Sequence, residues 1–298
     1  MLSRKWPQRK HRWLNALADK KMSKLYVSPK LDGVRCTASM SALFSKCGQK
    51  IDSLDHIFHD TQLLLRRQFD GFRKGSIILD GELYAENWRP TLGEVLGNVG
   101  KRRPVINFRL FKLERQISLY LFDAYFVDHP DMPYIQRIAH LQRLYKARKA
   151  TEDITNIFLL PRRTVSSEAE CDAYLHSSVA KGYEGIVVRT AAGLYYPGKR
   201  SSNVLKYLYW RKELCTICDV IEGKLGLQNT LGSIVCETST GKIQNVNFSL
   251  DYDKRKYWWE NREKLKGRRV VIKTFTHTGG DIRFGSVHEL VVEEPNEL

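Results

Sequence analysis

Ser28-Pro-Lys-Leu-Asp-Gly-Val-Arg35 packs a lysine, an aspartate, a glycine and an arginine into one short window. It follows Leu25-Tyr26-Val27, an apolar, strand-like run. Asp-Gly is among the commonest turn signals, so the stretch reads locally as strand, turn, strand. Lys30 then stands just before the turn and Arg35 just after it. Taken alone, these residues fit a solvated lysine beside an ordinary turn. Whether Lys30 does chemistry depends on the ionisable residues that neighbouring strands bring to it.

The chain around this window is globular in composition, with 42% hydrophobic and 28% charged residues among 298, enough for one large domain or two smaller ones. No apolar run approaches the roughly 20 residues of a membrane span, so no membrane partner is expected. The first 24 residues are basic but lack the apolar core of a secretory signal. The expected location is the cytoplasm, or a host-cell compartment for a viral protein. Scarce acidic residues in that segment leave a mitochondrial address as the alternative. Of six cysteines, Cys36, Cys215, Cys218 and Cys236 fall inside strand-like runs. Cys215 and Cys218 have CxxC spacing, yet no second pair of ligands accompanies them. Buried strand cysteines in a reducing compartment are therefore expected rather than a zinc site. Charge says more: 49 Lys and Arg against 33 Asp and Glu give a net +16. The basic residues cluster at the N-terminus and at Lys101-Arg102-Arg103, Arg162-Arg163 and Lys199-Arg200. Such a surface suits a polyanion, with nucleic acid the first candidate.

Strand-like runs cover residues 76–85, 117–127 and 184–189, and helical patterns cover 54–69 and 134–147. Asp131 and Pro133 act as start signals for the second helix. Ser167 and Glu170 have capping-box spacing for a third, which should end near Gly182. The texture is α/β or α+β with substantial antiparallel content. After Trp210 it changes to short strands at 214–220, 232–238 and 243–249, with a hairpin turn at 239–242. A helix at 254–265, capped by Asp253, and a strand at 269–275 follow. Three strands, a helix and a strand suit a small Greek-key barrel of the OB type.

On the strands, Asp80 and Glu82 lie two apart and so face one side, where they repel unless a cation, metal or polar ligand intervenes. Glu184 opens another strand. Lys206 sits in an otherwise apolar strand, where it suits an anion contact. Phe122 precedes Asp123 and offers either core packing or an aromatic face for a base.

Together these stretches resemble a family. Lys30-Leu-Asp-Gly-Val-Arg35 resembles the nucleotidyl-transfer motif KxDGxR. Leu79-Asp-Gly-Glu-Leu83, Leu119-Tyr-Leu-Phe-Asp123, Lys181-Gly-Tyr-Glu-Gly-Ile-Val-Val-Arg189 and Val204-Leu-Lys206 resemble its later motifs, in order. The chain is similar, over residues 25–290, to the small two-domain ATP-dependent DNA ligases of viruses and bacteria. The resemblance implies an α+β (mixed α/β) nucleotidyltransferase domain, ATP-grasp-like with antiparallel sheets and helices, followed by an all-β OB-fold barrel. The expected division is a basic extension at 1–24, the adenylylation domain at 25–211 and the barrel at 212–298.

It further implies ATP and Mg²⁺ (or Mn²⁺) as cofactors, and a monomer acting on nicked double-stranded DNA. Lys30 would be the nucleophile at the α-phosphate of ATP; AMP would pass to the 5′-phosphate of a nick, and the 3′-hydroxyl would displace it. A lysine amine is ordinarily protonated at neutral pH, so nearby cations or a metal must help make it neutral. Arg35 and Glu82 would hold the ribose, Phe122 would stack on adenine, and Lys206 would bind the α-phosphate. Glu184 would position the metal, with Asp80 either assisting it or structural. Ser45 and Lys46 resemble the element that contacts the nick phosphate. Lys101, Arg102, Arg103, Lys199 and Arg200 would extend the DNA surface, and Arg283 would serve the first step from the barrel.

Three departures stand out. Leu208 occupies the position where the family's phosphate strand usually carries a second lysine. The C-terminal motif at 281–286 lacks its final arginine. The Gly223–Gly232 segment is too short for a DNA-encircling insertion. Two other readings remain open: an RNA ligase or RNA-capping guanylyltransferase, and a nick- or end-binding protein without catalysis.

Overall fold

The computed structural model describes residues 2–5, 24–85, 114–248, 251–276 and 282–290. The chain divides into two compact units, Met1–Tyr207 and Leu208–Leu298, so the boundary falls a little before the expected residue 211. Among the described residues, no helix is long and apolar enough to cross a membrane.

The first unit holds two sheets. Strands β1 (Leu2–Lys5), β2 (Leu25–Lys30), β9 (Arg163–Val165), β10 (Gly185–Thr190) and β11 (Arg200–Leu208) make one, in the order β1-β11-β10-β2-β9. Strands β3 (Val34–Ala38), β4 (Leu43–Ser45), β5 (Lys50–Ile51), β6 (Ile77–Tyr84), β7 (Ser118–Phe126) and β8 (Ile157–Leu159) make the other, ordered β5-β4-β3-β6-β7-β8. Helices α1 (Asp55–Leu65) and α2 (Tyr134–Lys149) cover the six-stranded sheet, and α3 (Glu168–Ala180) covers the five-stranded one.

Alternation along the strands decides which side chains remain for function. Leu25 and Val27 of β2 pack with Ile186, Val188 and Leu205 and with Cys171 and Leu175 of α3. That leaves Tyr26, Ser28 and Lys30 on the opposite face. On the second sheet Leu79 and Leu83 pack with Ile57, Leu64, Ile138 and Leu141 beneath the helices, which turns Asp80 and Glu82 the other way. The two polar faces are the ones that approach each other.

The helix starts differ from the sequence signals in detail. Ser167 accepts from the Glu170 N–H as expected, but the Glu170 carboxylate accepts from the N–H of Ser166 rather than of Ser167. At α2, Asp131 supplies no cap. The free N–H groups of Tyr134 and Ile135 donate instead to the carbonyls of Gly193 and Ala191, so a distant loop closes the helix end.

The second unit is a closed barrel with strand order β12-β13-β14-β16-β15: β12 (Arg211–Glu222), β13 (Leu231–Glu237), β14 (Ile243–Phe248), β15 (Arg269–Thr276) and β16 (Ile282–Leu290). Helix α4 (Tyr252–Glu260) connects β14 to β15 and is capped by Asp251, not Asp253, through the Lys254 N–H. The fifth strand, unforeseen in the sequence, closes the barrel by pairing antiparallel to β15 and parallel to β14. Cys215 and Cys236 are buried in this barrel, whereas Cys218 is exposed, because the alternation that buries Cys215 and Ile217 turns Cys218 outward.

Candidate active site: a lysine held between two sheets

Backbone pairing brings Lys30 to a carboxylate. Lys30 ends β2 in register with Gly185, the first residue of β10, and the Glu184 N–H donates to the Lys30 carbonyl at 3.2 Å. The two side chains then meet as an ion pair between Lys30 Nζ and Glu184 Oε2. Burial pushes the Glu184 carboxyl above its ordinary range; Lys30 pulls it down, and Asp32, close enough to share a hydrogen bond, pushes it up. The turn is glycine for reasons of space. A Cβ on Gly33 would sit 2.2 Å from the Leu83 carbonyl oxygen and 2.7 Å from Glu82 Cγ. Asp32-Gly33 therefore lets the chain lie against β6 as it enters β3.

Arg35 and Glu82 are partners across β3 and β6, as are Thr37 and Asp80. The buried Asp80 accepts Arg35 Nε at 2.9 Å and Arg35 Nη2 at 2.5 Å, and Tyr195 donates its hydroxyl at 2.7 Å. With both oxygens engaged, Asp80 stands as the anchor of Arg35, and the carboxylate paired with the lysine is Glu184, with Asp32 beside it. Glu82 meets the expected repulsion by holding a proton more tightly. Burial pushes its carboxyl up to about 7, opposed by Lys30 and Arg35 and reinforced by Asp80 and Glu184.

Phe122 occupies a bulge. Asp80 pairs with Asp123 and Gly81 with Leu121, so Phe122 is the extra residue in β7. Leu119 and Leu121 lie in the core before it, Ala124 and Phe126 after it. This phase slip leaves the consecutive Phe122 and Asp123 both outside the helix-covered core. Arg35 and Arg189 place their guanidinium carbons 5.9 and 5.1 Å from the Phe122 ring centre. Arg189 also donates to Ser28 Oγ at 3.1 Å. Asp123 is gripped by Arg137 of α2 through two 2.9 Å bonds, and Arg137 Nη1 donates to the carbonyls of Met132 and Gly193 at 2.7 and 2.9 Å.

Beyond Arg35 lies a cavity of about 400 Å³, walled by Phe44, Tyr125, Tyr195 and Pro197 and edged by Arg35, Ser45 and Lys46. Ser45 sits at the base of the β4–β5 hairpin, where it accepts the Gln49 N–H at 3.2 Å. Lys199 and Arg200 are exposed at the entry to β11. Lys206 lies on the face of β11 opposite Leu205, whose side chain is fully buried. The triplet Lys101-Arg102-Arg103 lies outside the described residues. Arg283 is placed on β16 in register with Phe275 of β15. Lys30, Arg35, Glu82, Phe122 and Glu184 are thus brought together; Arg283 belongs to the other unit.

Residues 8–207 match the model of the ATP dependent DNA ligase domain. The chain belongs to the ATP-dependent DNA ligase family. A curated DNA ligase of African swine fever virus is 27% identical over 226 residues, which are 72% of this chain and 49% of the relative. A probable DNA ligase of Streptomyces griseus is 30% identical over 204 residues, 62% of this chain and 36% of the relative. The chain spans about half the length of the first of these, or less for the second. Among solved structures, a Lig E DNA ligase superimposes with a TM-score of 0.71 at 18% identity, covering 97% of this chain and 98% of the other. The ATP-dependent DNA ligase from bacteriophage T7 in complex with ATP gives a TM-score of 0.55 at 15% identity, covering 93% and 95%.

The sequence alone did not mark Asp32, Tyr195 and Arg189 as members of the site. Asp32 was visible only as a turn residue. Tyr195 had no signal, because it reaches Asp80 from a loop 115 positions away. Arg189 was legible by period two: it shares the strand face of Gly185 and Val187, opposite Ile186 and Val188.

Proposed function

We propose that the chain is an ATP-dependent DNA ligase that seals nicks in duplex DNA as a monomer, through an AMP group carried on Lys30. The observation that carries this reading is the meeting of Lys30, Glu184 and Glu82 from facing strands within the part of the chain that matches the family model. The barrel, with its 1-2-3-5-4 strand order and its helix between the third and fourth strands, is read as an OB fold.

Before Lys30 can attack phosphorus its ammonium must lose a proton, and the adjoining Glu184 carboxylate is the acceptor that the geometry offers. Glu82 would accept ribose hydroxyls, Arg35 would be aimed by Asp80, and Phe122 would stack on adenine. Lys206 would meet the α-phosphate. Ser45, Lys46, Lys199 and Arg200 would hold the DNA backbone. Among the described residues no three His, Cys, Asp or Glu side chains form a metal cage. Magnesium, which usually takes one or two carboxylates and completes its shell with phosphate and water, fits the Glu184 and Asp32 pair. A bound divalent cation would supply charge stabilisation of the phosphates.

The test offers α-labelled ATP or GTP to the protein with Mg²⁺, then nicked DNA or nicked RNA. Labelling by ATP followed by sealing of DNA is expected. Labelling by GTP alone, or sealing of RNA alone, would point to the capping or RNA-ligase chemistry instead.

Glu82 adds a pH signature. A carboxylate must be ionised to accept two hydroxyl donors. With titration centred at about 7, the ionised fraction rises from roughly one tenth at pH 6 to roughly nine tenths at pH 8. ATP affinity of the non-reacting Lys30→Arg protein should therefore climb over that window more steeply than that of Lys30→Arg/Glu82→Gln. Identical pH profiles would contradict the assignment. The sign for folding is opposite: a carboxyl titrating above its unfolded value favours the fold at low pH, and that contribution is lost as pH rises through about 7.

A further inference from the structure

Charge in the barrel is divided by strand. Strands β13 and β14 read Leu-Gly-Ser-Ile-Val-Cys-Glu and Ile-Gln-Asn-Val-Asn-Phe, without a lysine or arginine in either. Ile234, Cys236 and Val246 are buried, which turns Val235, Glu237, Ile243, Asn245 and Asn247 outward. Barrels of the OB type commonly take nucleic acid on the face of their second and third strands. Here those two strands offer a polyanion no cation and one carboxylate.

The pattern on β12 and β15 is the opposite. Cys215, Ile217, Val270 and Ile272 are buried in the barrel, which turns Lys212, Leu214 and Thr216 of β12 and Arg269, Val271 and Lys273 of β15 outward. The antiparallel register sets Lys212 directly opposite Lys273, Leu214 opposite Val271 and Thr216 opposite Arg269. Like charges facing each other across a ladder destabilise a sheet. Among the described residues no carboxylate pairs with either lysine, and the Asp219 carboxylate of β12 is held by Lys266 at 3.2 Å. Lys273 and Arg269 stand four residues apart, about 13 Å along the strand, enough to reach separate phosphates of one backbone. Leu214, 43% exposed, and Val271 fill the row between them.

We propose that the outer face of β12 and β15 binds the backbone of duplex DNA, with Lys212, Lys273 and Arg269 on phosphates and Leu214 and Val271 against the sugars between them. A phosphate brought between Lys212 and Lys273 turns their mutual repulsion into attraction for a shared anion. This rests on the reading of the chain as a DNA ligase, and it adds a surface on the barrel to the cations of the first unit. The competing explanation is that these cations only keep the barrel soluble. Solubility tolerates either sign of charge, whereas a phosphate backbone does not.

The experiment titrates the full chain with a dye-labelled nicked duplex whose nick carries a 5′-hydroxyl, so that nothing is sealed, over a series of salt concentrations. Lys212→Gln/Lys273→Gln should bind about tenfold more weakly at physiological salt, with the slope of log affinity against log salt reduced by about 1.8 for two lost phosphate contacts. Lys273→Glu should weaken binding as much while its melting temperature holds or rises, because an attracting pair replaces a repelling one. Asn245→Asp keeps the acceptor for Ser233 Oγ on the β13–β14 face and should leave the affinity unchanged. An unaltered slope in the double variant would overturn the proposal. So would a loss in Asn245→Asp equal to that in Lys273→Glu, which would move the DNA to the β13–β14 face. Equal falls in DNA affinity and in DNA-free label transfer from ATP would overturn it too, by assigning the lysines to the first step. Absence of binding by the unsubstituted protein would remove the surface, whereas binding without labelling by ATP would remove the ligase reading alone.

Discussion

Replacing Lys30 by alanine is expected to reduce both label transfer from ATP and multiple-turnover nick sealing to the detection limit. The methyl group provides no nucleophile, and it is the pairing of Lys30 with Gly185 that sets this amine against Glu184. The loss should exceed that from any surrounding residue, since removing a nucleophile typically costs about 10⁶-fold where the group acts as a unit with its partners. One activity should survive. A substrate supplied with AMP already on its 5′-phosphate needs only attack by the 3′-hydroxyl, so the variant should still seal it. Retained sealing of pre-adenylylated DNA together with lost labelling separates a missing nucleophile from a collapsed fold. Equal loss of both activities with an unfolded protein would leave Lys30 as a structural residue.

The largest stability effect is expected at Arg137. Its guanidinium is 1% exposed, as is Asp123, and it binds both oxygens of that carboxylate and the carbonyls of Met132 and Gly193. Truncation to alanine strands a buried carboxylate and removes the donor shared by two carbonyls. Breaking such a buried pair costs about 3–5 kcal/mol. Burying the pair is itself unfavourable, so the double change Arg137→Met/Asp123→Leu should recover a large part of that loss. Urea unfolding of the three variants measures the difference. A single-variant loss under about 1 kcal/mol would show that water reaches Asp123 and that the pair does not organise the start of α2.

How much of this could be read from the residues depends on how far the cause lies along the chain. The placing of Lys30 and Arg35 on either side of a turn, and of Asp80 and Glu82 on one strand face, was legible because its causes are local; the roles expected of these residues came from the resemblance. The α3 cap was legible for the same reason. Phe122 was identified as a residue but not as a bulge, although Leu119, Leu121, Ala124 and Phe126 carry the phase slip openly. A strict alternation would have sent Asp123 into the core opposite Phe122, and the buried ion pair with Arg137 would have had no explanation. Asp80 was suspected of repelling Glu82; its partners Arg35 and Tyr195 came from a register and from a loop that no local pattern encodes. The start of α2 at Pro133 was right in position and wrong in cause, because carbonyls of Ala191 and Gly193 satisfy its N–H groups. The fifth barrel strand was missed although it pairs with its sequence neighbour β15; only its parallel pairing with β14 is non-local.

The claim that Lys30 carries the reaction can be met by a single measurement. After incubation with Mg²⁺ and ATP labelled at the α-phosphate, the protein is digested and the labelled peptide sequenced by mass spectrometry. The account predicts AMP joined through phosphorus to the Nζ of Lys30, on the peptide that contains Leu-Asp-Gly-Val-Arg35, and release of that label when nicked DNA is added. AMP found on any other residue, with Lys30 unmodified, would contradict it.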